Sequence, residues 1–275
     1  SNQPDADEFY NDNLAKLSGI AGRLAKENGF VYGELHPLMM KSMKDAKATL
    51  GKDYHVCGRD GVHPSANGHL VMAYAFLKAM GLNGDIGTIT VDMNGKTTAS
   101  DGHRVLSSAG GKVEIESSRY PFCFTGNEKD PGGTVSILPF LPFNRDLNRY
   151  MLVVKNLSQP MADVTWGKTT KTFAKADLEK GINLAEAFLD NPFSAPFSAV
   201  ERVVAEKQSR ETRTIKGTIT QFRGLVQDFP NDAEVAGAID TLRRKLFERN
   251  ALDAARARAA VKPVTHVIQV TPKNE

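Results

Sequence analysis

Asp60 and His63, in the string Asp60-Gly61-Val62-His63-Pro64-Ser65-Ala66-Asn67-Gly68-His69, are the residues whose types and spacing most readily do chemistry. A carboxylate three residues before an imidazole can accept the Nδ1 hydrogen. That fixes the tautomer and leaves Nε2 free to take a proton from a hydroxyl nucleophile. Gly61 lets the backbone turn tightly enough for the two side chains to meet, and Pro64 suits a first helical turn, where an amide hydrogen is not missed. A loop carboxylate capping a helix, with a histidine packed beside it, would use the same spacing, so Asp-x-x-His alone decides little. His55, His69 and His103 have no comparable partner in sequence. A metal site built from His55, Asp60 and His63 lacks a second cluster of ligands, so neither a metal nor a cofactor is expected. Cys57 and Cys123 lie far apart without metal-type spacing. They could form one disulfide or remain two packed thiols.

The wider string is more specific. Asp-Gly-Val-His-Pro, followed by Asn67-Gly68-His69 and an apolar helix, resembles the last block of the SGNH (GDSL-like) esterases and lipases. The resemblance implies that Asp60 is the orienting acid and His63 the general base of a Ser-His-Asp triad. It also implies a serine supplied from upstream, because this chain shows no Gly-Asp-Ser motif, no oxyanion-hole glycine and no Gly-x-Asn-Asp-like segment. The fold implied is α/β: residues 1–83 would be the C-terminal portion of a three-layer α/β/α, flavodoxin-like SGNH sheet domain. The implied function is a serine ester hydrolase acting on acyl or acetyl esters of carbohydrates, in a secreted or periplasmic setting. Its partners would be a small-molecule or glycan ester and the missing N-terminal half of the hydrolase domain. The 275-residue chain alone is expected to be inactive. More loosely, the arrangement running through Asn183-Leu184-Ala185 and Asn191-Pro192-Phe193 to Lys207-Gln208 resembles bacterial SGNH-type proteins with a C-terminal extension.

Positioning the pair requires helices on both sides. Asp5, Asp7 and Glu8 precede Leu14, Leu17, Ala21 and Leu24, which share a helical face, and early acids suit the positive end of a helix dipole. Phe30 to Leu35 reads as a buried strand that His36-Pro37 breaks, and a second helix follows through Leu38, Met39, Met43, Ala46 and Leu50, ended by Gly51. Leu70 to Leu77 is apolar nearly all round, as in a helix packed between layers.

Beyond Gly81 the texture changes. Ile86 to Asp92 alternates at period two, Asn94-Gly95 predicts a type I′ hairpin turn, and Arg104–Leu106, Lys112–Glu116, Val135–Leu138, Tyr150–Lys155 and Met161–Trp166 extend a small antiparallel β module over residues 84–173. Its aromatic residues, Tyr120 to Phe124, Phe140 to Phe143 and Trp166, could stack on sugars but more often pack cores. Residues 174–275 read as a helical extension with a terminal strand, Val264 to Val270. The turn Phe229-Pro230-Asn231-Asp232 joins an antiparallel hairpin whose faces carry Phe222, Val226 and Phe229, and Val235, Ile239, Leu242 and Leu246. Arg243, Arg244, Lys245, Arg249, Arg256 and Arg258 are interrupted by Glu248 and Asp253, which favours a solvated face over nucleic-acid binding.

A formal charge of +3 is too small to imply a nucleic-acid or anionic-membrane partner, and no apolar run reaches the roughly 20 residues that span a bilayer. Besides the esterase, two further readings stand: a non-catalytic SGNH-like carbohydrate binder, and an interaction protein that oligomerises through residues 194–260.

Overall fold

Alternating burial organises the centre of the molecule. The computed structural model describes residues 6–274, so Asp5 lies outside the described residues. Three helices come first, α1 (Ala6–Glu27), α2 (His36–Leu50) and α3 (Ala66–Ala79), followed by strands β1 (Asp85–Asp92), β2 (Thr98–Ala99), β3 (His103–Ala109) and β4 (Lys112–Ser117). A 3₁₀ turn (Val135–Phe140) and α4 (Phe143–Leu147) lead to β5 (Arg149–Lys155), β6 (Met161–Trp166) and β7 (Thr169–Ala174). Next come α5 (Lys175–Lys180), β8 (Ile182–Asn183), α6 (Leu184–Ala187) and α7 (Ser194–Thr212). A π-helical stretch (Arg213–Ile219) joins α7 to α8 (Thr220–Asp228), and α9 (Ala233–Ala259) and β9 (Val264–Lys273) complete the chain.

The strands form two sheets, ordered β2-β1-β5-β8 and β3-β4-β9-β6-β7. Every second residue points inward: Ile89 and Val91 of β1 and Tyr150, Leu152 and Val154 of β5 meet Val113, Ile115, Val164, Trp166, Ile268 and Val270 of the other sheet in one core. Leu178, Leu184, Phe188 and Phe193 close its side.

Several expectations change. The β module is not wholly antiparallel, because β1 and β5 pair in parallel. Residues 84–173 do not complete a sheet by themselves: β9 lies between β4 and β6, antiparallel to both. The helices α7 to α9 are therefore an excursion from within the sandwich. Val135–Leu138 is 3₁₀, not strand. At Asn94-Gly95 neither residue has positive φ, which a type I′ turn requires. Instead the Asp92 carboxylate accepts from the Asn94 amide at 3.0 Å.

The N-terminal unit departs furthest from the expected α/β/α layer. Phe30 to Leu35 is not a strand; Phe30 and Val31 are 72% and 71% exposed, and a strand needs a neighbour to take up its backbone groups. Residues 6–83 contain helices only. Their core (Ala46, Tyr54, Val56, Leu70, Val71) is completed from outside by Ile137, Leu141, Phe143 and Leu147, so the expected boundary at residue 83 cuts through shared packing. Leu14, Leu17 and Leu24 do share a face of α1, and that face is open to solvent. Taken together, the architecture is mixed α/β, with two sheets and helices.

Candidate active site

The loop from Tyr54 to Ser65 is held where it meets α3. Buried Asn67, in the first turn of α3, reaches back to donate to the His55 carbonyl at 2.8 Å and the Tyr54 hydroxyl at 3.0 Å. Gly68 packs so tightly that a Cβ there would lie 2.1 Å from the Val56 carbonyl oxygen. Two turns need positive φ, +69° at Gly58 and +72° at Gly61, where a side chain would be strained. A Cβ on Gly58 would also collide with the His63 carbonyl at 2.1 Å. Pro64 falls just before Ser65, which stands at the N-terminal boundary of α3 without a side-chain capping bond, rather than inside the first turn.

Asp60 and His63 meet. Asp60 Oδ2 lies 2.7 Å from His63 Nδ1, while Oδ1 accepts from the backbone amides of Val62 and His63, each at 3.0 Å. The His63 amide, then the His63 ring and the Val62 amide, hold the Asp60 carboxyl far below the usual carboxylate range. An ionised carboxylate only accepts, so Nδ1 must carry the shared hydrogen, and in the neutral ring Nε2 presents its lone pair. Among the described residues no side chain hydrogen-bonds Nε2. The His63 side chain is 85% exposed and that of Asp60 55%, and neighbouring Val62 is open as well. The pair is thus oriented like an acid–base couple, but without walls.

The other conspicuous residues lie elsewhere. Tyr120, Phe122, Phe124, Phe143 and Trp166 pack against one another or the two cores rather than forming an outward platform. His69 Nδ1 lies 3.0 Å from the Ser65 carbonyl within its own helix. Both cysteines are free thiols; Cys57 is half-buried, and burial pushes the Cys123 thiol up to about 12.

His103 and His266 join a buried network that sequence reading missed because its members come from six strands. Trp166 Nε1 donates to His266 Nδ1 at 3.2 Å. The His266 proton therefore sits on Nε2, 3.0 Å from both Ser117 Oγ and the Tyr150 hydroxyl. His103 Nε2 donates to the Ile86 carbonyl at 2.9 Å, and its Nδ1 accepts from Ser117 at 2.8 Å. Every polar atom of the two rings is paired with both imidazoles neutral. Burial pushes His266 down to about 4 and lowers His103 in the same direction.

A solved structure has a similar fold. It is described as "BT4096 a gut microbial diltiazem-metabolizing enzyme"; the superposition has a TM-score of 0.65 at 20% identity and covers 95% of this chain and 66% of that one. This chain thus spans just under two thirds of that chain's length. No protein-family model matches this sequence, and no curated protein matches it. Among the described residues, no helix is long and apolar enough to cross a membrane.

Proposed function

We propose that this chain carries the acid and base of an SGNH-type serine ester hydrolase, with the serine and oxyanion donors contributed by polypeptide outside these 275 residues. The observation that carries the reading is the Asp60–His63 couple, set in its tautomer with Nε2 bare and accessible. The turn is closed by the Val62 and His63 amides on Asp60 Oδ1, and an exposed ion pair adds little to stability, so the ring contact through Oδ2 is not needed to hold the loop. Exposed apolar side chains on the same unit add support. Leu14, Leu17, Ile20 and Leu24 of α1, Phe30 and Val31 after it, and Phe76 of α3 together resemble a surface left open for further layers. Addition of such layers would also supply the walls that the couple lacks.

In the reaction, His63 Nε2 takes the serine proton as the oxygen attacks the ester carbonyl, and Asp60 holds the resulting imidazolium through Nδ1–H. His63 then gives that proton to the departing alcohol. Water repeats the cycle: His63 removes its proton, the hydroxyl displaces serine from the acyl group, and serine recovers the proton. Acyl or acetyl esters of carbohydrates are the proposed substrates, in keeping with the sequence resemblance. The neighbouring fold's name as a drug-metabolizing enzyme is compatible with hydrolysis of an ester bond in a small molecule.

The test compares two proteins, this chain and the same chain extended by the residues encoded upstream of it. The extended protein should turn over an acetyl ester, label covalently on one serine with a fluorophosphonate, and lose turnover with His63→Ala. Turnover by the 275-residue chain that His63→Ala abolishes would refute the external serine. An extended protein that neither labels nor turns over ester would refute the hydrolase itself.

A further inference from the structure

The hairpin formed by α7, α8 and α9 carries apolar residues that its own packing does not use. Its seam buries Phe222 and Ile239, whereas Val226, Phe229, Leu242 and Phe247 are 55%, 51%, 52% and 55% exposed. At the tip, Val226, Phe229, Val235 and Ala236 line a cavity of about 210 Å³. Phe247 lies eleven residues beyond Ala236 on α9, which places it ~16 Å along the axis and within ~20° of the same face. One helix face therefore presents a hollow and, three turns away, an aromatic projection.

We propose that a second copy of this chain docks antiparallel on this face of α9, with Phe247 of each copy entering the tip cavity of the other. If the two-fold axis crosses between Thr241 and Leu242, Phe247 meets the other copy's Ala236 and Arg243 meets its Asp240. Asp240 and Arg243 already pair within one helix at 2.8 Å, so their charged ends share a flank and can exchange partners. The surface is self-complementary, as a two-fold interface must be.

Charge selects the orientation. Residues 224–242 hold Asp228, Asp232, Glu234 and Asp240 and no Lys or Arg, for a net charge of −4. Residues 243–258 hold six Lys or Arg against Glu248 and Asp253, for a net charge of +4. Antiparallel docking sets each acidic tip on a basic stem, and parallel docking would set like on like. The interface is independent of the ester chemistry.

Sedimentation of the full chain at micromolar concentration should show a dimer that weakens with added salt. Phe247→Glu should be monomeric with unchanged helical circular dichroism. Asp240→Arg and Arg243→Asp should each weaken association at least roughly tenfold, and the double exchange should restore it. A register test uses chains lacking Cys57 (Cys57→Ser). An oxidised equimolar mixture of Ala236→Cys and Phe247→Cys chains should yield a covalent heterodimer, whereas neither variant alone should cross-link, since self-paired sites lie well beyond the ~7 Å reach of a disulfide. A monomeric wild type, a Phe247→Glu dimer of undiminished affinity, or cross-linking of either variant alone would overturn the proposal.

Discussion

His266 should make folding stability depend on pH in a window where few other groups titrate. In the folded chain its Nδ1 already accepts from Trp166, so protonation would set one N–H against another in a core whose burial disfavours charge. The unfolded imidazole titrates near the ordinary value of about 6.5, and the folded one near about 4. Below 6.5 the unfolded chain therefore binds a proton that the folded chain refuses. Stability is full above that value, falls as the pH drops through the interval, and levels off below about 4. The whole interval corresponds to about 3 kcal/mol, of which about 2 kcal/mol is lost between about pH 7.5 and 5. His103, lowered in the same direction, adds to the loss. The protein has one tryptophan, Trp166, and it contacts His266, so urea unfolding followed by its fluorescence at a series of pH values reads the effect directly. His266→Gln should flatten much of the profile. Equal stability at pH 7.5 and 5 in the wild type, or an unchanged slope in the variant, would refute the assigned tautomers.

Other substitutions test the site and the core. If the proposed upstream extension confers ester turnover, Asp60→Asn in that protein should cut kcat roughly 10²–10⁴-fold by presenting the wrong ring tautomer while leaving KM nearly unchanged, and a loss carried by KM would point to binding instead. Gly58→Ala should abolish turnover with only a modest change in melting temperature, because the collision it creates is with His63 rather than with a core. Gly68→Ala, which drives a methyl into the Val56 carbonyl, should destabilise the fold by about 1–3 kcal/mol in chemical denaturation. Trp166→Ala should cost about 3–5 kcal/mol by the same measure.

What was legible in the sequence was what short stretches determine. The Asp60–His63 contact follows from three residues of spacing and a glycine able to take positive φ, and the Asp60 oxygens find their remaining partners in the intervening backbone. Alternation located β1, β5 and β6, and the proline turn located the α8–α9 hairpin. Partner choice was not legible. Nothing local tells β9 that it belongs between β4 and β6, some ninety residues after β7, or tells β1 to pair in parallel with β5 across the whole β2–β4 meander.

The run from Phe30 to Leu35 shows the same limit from the other side. Its composition suits a buried strand, yet what makes a strand is a neighbour to receive its amides and carbonyls, and no described segment supplies one. Phe30 and Val31 stay in solvent on the unit that also leaves the α1 face and the His63 ring uncovered. On the proposed function, a sheet lying against α1 and the Phe30 run, with its loop ends over His63, would cover all three. That links a packing measurement to the chemistry: residues upstream of this chain that restore activity should also protect the amides of residues 30–35 from hydrogen exchange. Activity gained without that protection would mean that the serine arrives by another route.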